Sequence, residues 1–238
     1  MKWSQASETG LVRQVNEDSL VIEPALGLFA VADGMGGHQA GEVASRMALE
    51  ELVRFVRSRL KKAGEPGTVL VRGVEEANRL VYQLSCASAG CRGMGTTISA
   101  VMVHGHDLFL AHVGDSRVYL LRGNRIRQLT EDHSLVQEMV RIGGLTAEEA
   151  IRHPQRNVLT RALGTEPRVQ VDSLRIGLET GDRIILCTDG LTVHLRPEEI
   201  GALVQQNASV EEAVGMLVRT ALDRGGTDNI TVILVAVD

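Results

Sequence analysis

Leu28 to Glu42 reads LFAVADGMGGHQAGE: five apolar residues, an aspartate, and then three glycines within four positions. The apolar run has the length and composition of a buried strand. Asp-Gly is a common strand terminator, since glycine tolerates positive φ and aspartate bonds its own backbone. Taken alone, the stretch needs nothing more than a turn. The rest of the chain repeats the design. Asp115 follows LFLAHVG, Asp189 follows RIILCT, and Asp228 stands immediately before NITVILVAV.

If these four strand ends converge, several carboxylates share one small volume. Two unit charges 4 Å apart repel by about 1 kcal/mol in water and about 4 kcal/mol at an effective dielectric of 20. A marginally stable fold needs something to neutralise them. A shared proton serves two carboxylates rather than four. Hard divalent cations serve better, because Mg²⁺, Mn²⁺ and Ca²⁺ prefer oxygen ligands. Glycines beside the aspartate let backbone carbonyls approach a metal or phosphate. The spacing does not match an EF-hand loop. A phosphate ligand also needs a cation, and RQVNEDS (13–19) places Arg13 just before the acidic pair Glu17 and Asp18. A guanidinium grips two phosphate oxygens at once.

The bulk composition sets outer bounds. The chain has 238 residues, 44% hydrophobic and 23% charged, with a formal net charge of −5. That suits one large soluble domain with a core of Val, Leu, Ile and Ala. The negative balance argues against an electrostatic grip on nucleic acid or an anionic membrane. No stretch reads as a signal peptide or a bilayer span, so the expectation is a cytoplasmic monomer. Cys86, Cys91 and Cys187 form no CxxC pair and read as separate reduced thiols. His104 and His106, at an apparent hairpin tip, are a minor candidate for a zinc pair.

Strand-type patterns occupy SLVIEPALGLFAVAD, the long run from Thr96 to Thr130, VQVDSLRIG, DRIILCTDG and DNITVILVAV. In the long run, HGHD and RGNR read as turns that cut it into three hairpin-linked antiparallel strands. Val43, Met47, Leu52, Phe55, Val56 and Leu60 form one helical stripe, and Leu70, Val74, Ala77, Val81 and Leu84 a second. The basic residues Arg54, Arg57, Arg59, Lys61 and Lys62 read as the solvated close of the first helix. Thr146 with Glu149 and Ser209 with Glu212 read as capping boxes of two later helices. The mixture favours a layered α+β domain over alternating βαβ units. The long connection over residues 130–170 reads as a candidate flap on the substrate side or as plain surface decoration.

With these motifs in register, the sequence resembles the metal-dependent protein phosphatase family, the protein phosphatase 2C type, in its compact bacterial form. The resemblance runs over nearly the whole chain through RQVNEDS, VADGMGGHQAGE, GMGTT (93–97), AHVGDSRVYL, LTEDHS, NVLTRALG, CTDGL and GGTDNITVI. It implies a single domain over residues 1–238: a four-layer α/β/β/α sandwich, two central antiparallel sheets flanked by helices. It also implies two Mn²⁺ or Mg²⁺ ions at one edge. Asp33 would bridge the ions, the Gly34 carbonyl would bind one, and Asp189 and Asp228 would hold the other. Glu17 and Asp18 would act through metal-bound waters. Asp115 matches a position tied to a third, weaker metal in bacterial members. Arg13 would orient the phosphoryl group for attack by a metal-activated water. The substrates would be phosphorylated proteins, the products of a Ser/Thr kinase. Many animal members carry His directly after the Asp-Gly pair as the apparent general acid, where this chain has Met35, which cannot donate a proton. His38, three residues on, could replace that acid, or a metal-bound water could. The rival readings are a catalytically silent phosphoprotein-binding domain and a hydrolase of small phosphate esters. The first should have lost metal ligands, and every expected ligand is present.

Overall fold

The computed structural model describes residues 1–36, 40–60 and 64–238. Two antiparallel sheets stack face to face. The first contains β1 (Lys2–Glu8), β7 (Arg117–Arg122), β8 (Arg125–Gln128), β10 (Arg183–Cys187) and β11 (Ile230–Ala236), in the order β1-β11-β10-β7-β8. The second contains β2 (Asp18–Glu23), β3 (Leu28–Met35), β5 (Ile98–His104), β6 (Asp107–Val113) and β9 (Asp172–Gly177), in the order β2-β3-β5-β6-β9. The two-residue strand β4 (Gly95–Thr96) pairs with the end of β3.

LFAVA is buried on both faces because side chains alternate along a strand. Phe29 and Val31 enter the layer between the sheets, where they meet Val101, Leu108, Val118, Ile184 and Ile233. Leu28, Ala30 and Ala32 point the other way, beneath α1 (Ala40–Leu60) and α2 (Pro66–Ala87). Alanines on that face let the helices settle close to the sheet. On the far side, α5 (Asp189–Thr192), α6 (Pro197–Gln206) and α7 (Val210–Asp223) cover the first sheet through Leu191, Ile200, Leu217 and Ala221. The result is helix, sheet, sheet, helix, as the resemblance implied. Among the described residues, no helix is long and apolar enough to cross a membrane.

Several local expectations need correction. The amino-terminal segment, which carries no strong pattern, forms edge strand β1 because β11 supplies a full antiparallel ladder from Lys2↔Ala236 to Glu8↔Ile230. The first long run is two strands joined by a 3₁₀ turn at Pro24–Leu26. Gly27 closes that turn at φ +63, and a Cβ there would lie 2.2 Å from the Val103 carbonyl oxygen. Arg13 lies in the loop between β1 and β2. The run from residue 96 holds four main strands after β4, and its segment Gly114–Ser116 crosses from one sheet to the other instead of continuing a hairpin. Gly114 has φ +110, and a Cβ would meet Thr97 side-chain atoms at 2.6 Å. Asp33 is not terminal, because β4 pairs with Gly34 and Met35 and extends the strand past it. His106 lies in the turn after β5, so it shares no strand face with His104.

The Thr146–Glu149 capping box forms at the start of α4 (Ala147–Arg152). Ser209 accepts the Glu212 amide, which is the forward half of the second box. Arg54 and Arg57 pair with Glu51 and Glu23 on the solvent side, while Lys61 and Lys62 lie outside the described residues. Residues 130–170 carry α3 (Leu135–Arg141) and α4, and are pinned by the bridges Ser134↔Leu159 and Thr96↔Leu163.

Phe29 is fully buried between the sheets, so Phe29→Ala is expected to cost about 3–5 kcal/mol of unfolding free energy in a urea titration.

Candidate metal centre

Strand register brings the acidic residues to one end of the sandwich. Asp18, the first residue of β2, lies directly opposite Asp33 in β3. Cys187, the last residue of β10, stands opposite both Arg117 at the start of β7 and Val232 near the start of β11. Asp115 just precedes β7, Asp189 just follows β10 and Asp228 just precedes β11. Five carboxylates from five separate parts of the chain thus converge where the two sheets meet. Glu17 and Arg13 stand beside them on the β1–β2 loop.

The cluster is under electrostatic load. Burial, and then the charges of Asp189, Asp18, Asp115 and Asp228, holds the Asp33 carboxyl well above the usual range. Burial pushes Asp18 up to about 7, against a hydrogen bond from Thr188, with Asp189 and Asp228 adding to the rise. Burial and Asp189 push Asp115 up to about 8. Asp189 is raised by burial and by Asp228, and Glu17 by burial. Across the set, neighbouring carboxylates disfavour ionisation together. Arg13 supplies a nearby positive charge: its Nη2 donates to Asp228 Oδ2 at 2.8 Å. Asp33, Asp115, Asp189 and Asp228 each keep partial solvent access, so the charged pocket has a mouth.

Among the described residues, no three His, Cys, Asp or Glu side chains have the spacing of a finished ion site. Two other features fit a cation. Asp18 Oδ1 and Asp189 Oδ1 are buried with no hydrogen-bond partner among the described residues, and such oxygens are costly unless something positive meets them. The backbones of β3 and α1 also approach very closely. A Cβ on Gly34 would lie 2.2 Å from the Gly41 carbonyl oxygen and 2.5 Å from that of Glu17. A Cβ on Gly41 would lie 2.5 Å from Glu17 Oε1. Here the glycines admit main chain, and the Gly34 carbonyl belongs to the same wall.

Polar side chains that sequence reasoning left unassigned hold this end together. Asn229 Oδ1 accepts the Glu17 amide at 2.8 Å, while its Nδ2 donates to the carbonyls of Thr9 and Val15 at 2.9 and 3.0 Å. It therefore clasps the Arg13 loop to β11. Thr188 Oγ1 donates to Asp18 Oδ2 at 2.8 Å and accepts the Thr231 amide at 3.0 Å. Thr97 Oγ1 accepts the Asp33 amide at 2.9 Å and meets Ser116 Oγ at 2.7 Å. Their only sequence signal was adjacency: each stands beside an aspartate or inside a recognised motif. His38 lies outside the described residues.

The protein phosphatase 2C profile matches residues 1–230. The chain belongs to the protein phosphatase 2C family. As a protein phosphatase it is a hydrolase of phosphate esters. It is 39% identical over 234 residues to the serine/threonine phosphatase stp of Listeria welshimeri, covering 96% of this chain and 93% of that one. The crystal structure of the Mycobacterium tuberculosis serine/threonine phosphatase PstP/Ppp superposes with a TM-score of 0.92 at 37% identity, covering 100% of this chain and 98% of that one. A catalytic domain of PstP solved with two manganese ions gives a TM-score of 0.87 at 36% identity, with coverage of 100% and 98%. The protein phosphatase 2C sandwich thus accounts for both sheets and both helical layers of this chain.

The raised carboxyls set the sign of a pH effect. Between their unfolded values near 4 and their folded values near 7 for Asp18 and 8 for Asp115, the folded chain holds more protons than the unfolded one. Stability from these groups is complete at low pH and is lost as pH rises through 7 to 8. In EDTA, the melting temperature is expected to fall between pH 5 and pH 8, by about 2–4 °C for each kcal/mol lost. Millimolar Mn²⁺ should abolish that fall, as read by scanning calorimetry.

Proposed function

We propose that this protein phosphatase hydrolyses phosphoserine and phosphothreonine in proteins at a centre of two Mn²⁺ or Mg²⁺ ions, with a weaker third. The observation that carries the reading is the convergence of Asp18, Asp33, Asp115, Asp189 and Asp228 beside Arg13, with two of their oxygens left without a hydrogen-bond partner among the described residues. In this reading Asp33, the Gly34 carbonyl, Asp189 and Asp228 would hold the two ions, with Asp33 serving both. Glu17 and Asp18 would act through water. Asp115, with Asp189, would hold the third ion. When bound, a pair of divalent ions lowers the pKa of water and screens the phosphate's charge.

The chain's own groups supply the rest. The half-exposed Arg13 guanidinium stands at the rim of the pocket, against Asp228. From there its fork meets two oxygens of an incoming phosphoryl group and fixes it for in-line attack. Asn229 holds that loop in place through the Glu17 amide and two carbonyls. A water oxygen forms the new P–O bond, the seryl or threonyl oxygen leaves, and it takes up a proton to become the free hydroxyl. Met35 offers no proton, so His38 is the chain's own candidate donor for that step. Residues 130–170 form the flap that borders the substrate, with Ile142, Ile151 and Val158 exposed on it. The substrates are products of a Ser/Thr kinase, and the enzyme works as a cytoplasmic monomer.

The deciding assay uses p-nitrophenyl phosphate and a phosphothreonine peptide with Mn²⁺, with and without EDTA; turnover that ignores chelation would overturn the reading. Asp33→Ala should lower kcat/KM by about 10³-fold or more, the loss of several kcal/mol. Arg13→Ala should lower it by about 10- to 100-fold, the worth of a charged hydrogen-bond pair, mostly through KM.

A further inference from the structure

The buried histidine at the root of the flap has contacts that the phosphatase reading does not use. His133 is 6% exposed. Its backbone amide donates to the Gly114 carbonyl at 2.8 Å, and its ring Nδ1 accepts the Gly114 amide at 3.0 Å. Gly114 is thus held from both sides by one residue, and the next residue is Asp115. Because Nδ1 is an acceptor, the neutral ring carries its proton on Nε2. That nitrogen lies 3.1 Å from Asp172 Oδ2, the only acceptor among its two contacts. The Arg161 nitrogen, also 3.1 Å away, is a second donor, and it bonds instead to Asp172 Oδ1 at 2.7 Å. The His133 carbonyl accepts the Thr160 amide at 2.9 Å. Asp172 opens β9, where the flap returns to the sheet. One imidazole therefore joins both ends of the flap to the turn that carries Asp115.

We propose that His133 is a positioning residue for Asp115: through the Gly114 amide it sets where that carboxylate stands, and it makes the flap root and the third-ion site one mechanical unit. This rests on the assignment of Asp115 to an ion. No side chain could replace Gly114, since its φ is positive and a Cβ would meet Thr97 side-chain atoms at 2.6 Å, so the turn packs directly on Thr97. Thr97 in turn accepts the Asp33 amide, so a displaced turn would press on the proposed bridging ligand as well.

Two isosteric variants separate the ring's two nitrogens. In His133→Asn, Oδ1 takes the place of Nδ1 and keeps the acceptor for Gly114 while the contact to Asp172 is lost. In His133→Gln, Nε2 takes the place of the ring Nε2 and keeps the donor to Asp172 while the Gly114 bond is lost. Mn²⁺ is titrated calorimetrically into each chelator-stripped protein. His133→Gln is expected to weaken the weakest Mn²⁺ step about 10- to 100-fold, as the loss of an outer-shell partner does, whereas His133→Asn stays close to the parent. Equal losses in the two variants, or a larger loss in His133→Asn, would mean that the residue acts only as flap scaffolding. Asp115→Asn is run alongside. If it leaves the weakest step intact, the ion assignment itself fails. If it removes that step and His133→Gln does not weaken it, the positioning role fails alone. Nitrogen NMR of the unmodified protein needs no variant to fold: an unprotonated His133 Nδ1 at neutral pH is expected, and a protonated one overturns the proposal.

Discussion

Mutual repulsion among the carboxylates at one end of the sandwich is the constraint that the rest of the architecture serves. Asp18 and Asp33 face each other across a strand pair, and Asp115, Asp189 and Asp228 close in from the other sheet. Like charges placed directly opposite in a ladder are destabilising even on a surface, and here burial amplifies the effect. A fold that only had to be stable would not retain this set. Its persistence on five different backbone segments is intelligible if the charges are assembled for cations and phosphate.

The scaffold tolerates the load because the sandwich is stiff at that end. Apolar packing between the sheets reaches Val31 and Leu186, within a few residues of the charged groups. Around the charges, short uncharged side chains take over from apolar ones. Asn229, Thr188 and Thr97 each join two chain segments through backbone amides, carbonyls or carboxylates. Such bonds hold the carboxylate-bearing loops without adding charge, and they satisfy buried backbone groups that the turns leave unpaired. The glycines act with them, since the closeness of Gly34 to Gly41 brings the end of β3 and the start of α1 into one wall.

The flap extends this logic outward. Its ends are tied at Ser134↔Leu159, at Thr96↔Leu163 and at His133, while Ile142 just after α3, Ile151 in α4 and Val158 are exposed. A tied root beneath a more solvent-facing tip would suit the proposed flap role, since binding segments are commonly loops held on a rigid scaffold.

Much of this was legible in the amino-acid order. Alternation and continuous apolar runs gave β3, β5, β6, β10 and β11, and helical stripes gave α1 and α2, because burial imposes periods of 2 and 3.6 that survive in a single sequence. The recurrence of Asp at the margins of apolar strands marked the carboxylates that converge before any coordinates, since charge beside a core is rare without a purpose. Other features belong to tertiary structure alone. Strand β1 has little pattern of its own and exists because β11 offers it a ladder. The Gly114–Ser116 segment looks like another turn, and only sheet pairing shows it passing between sheets. Asn229, Thr188 and His133 are ordinary polar residues in the sequence; their parts are set by partners between 19 and 220 residues away. Local pattern records what each segment buries, whereas convergence depends on register and on sheet stacking, which no segment encodes by itself.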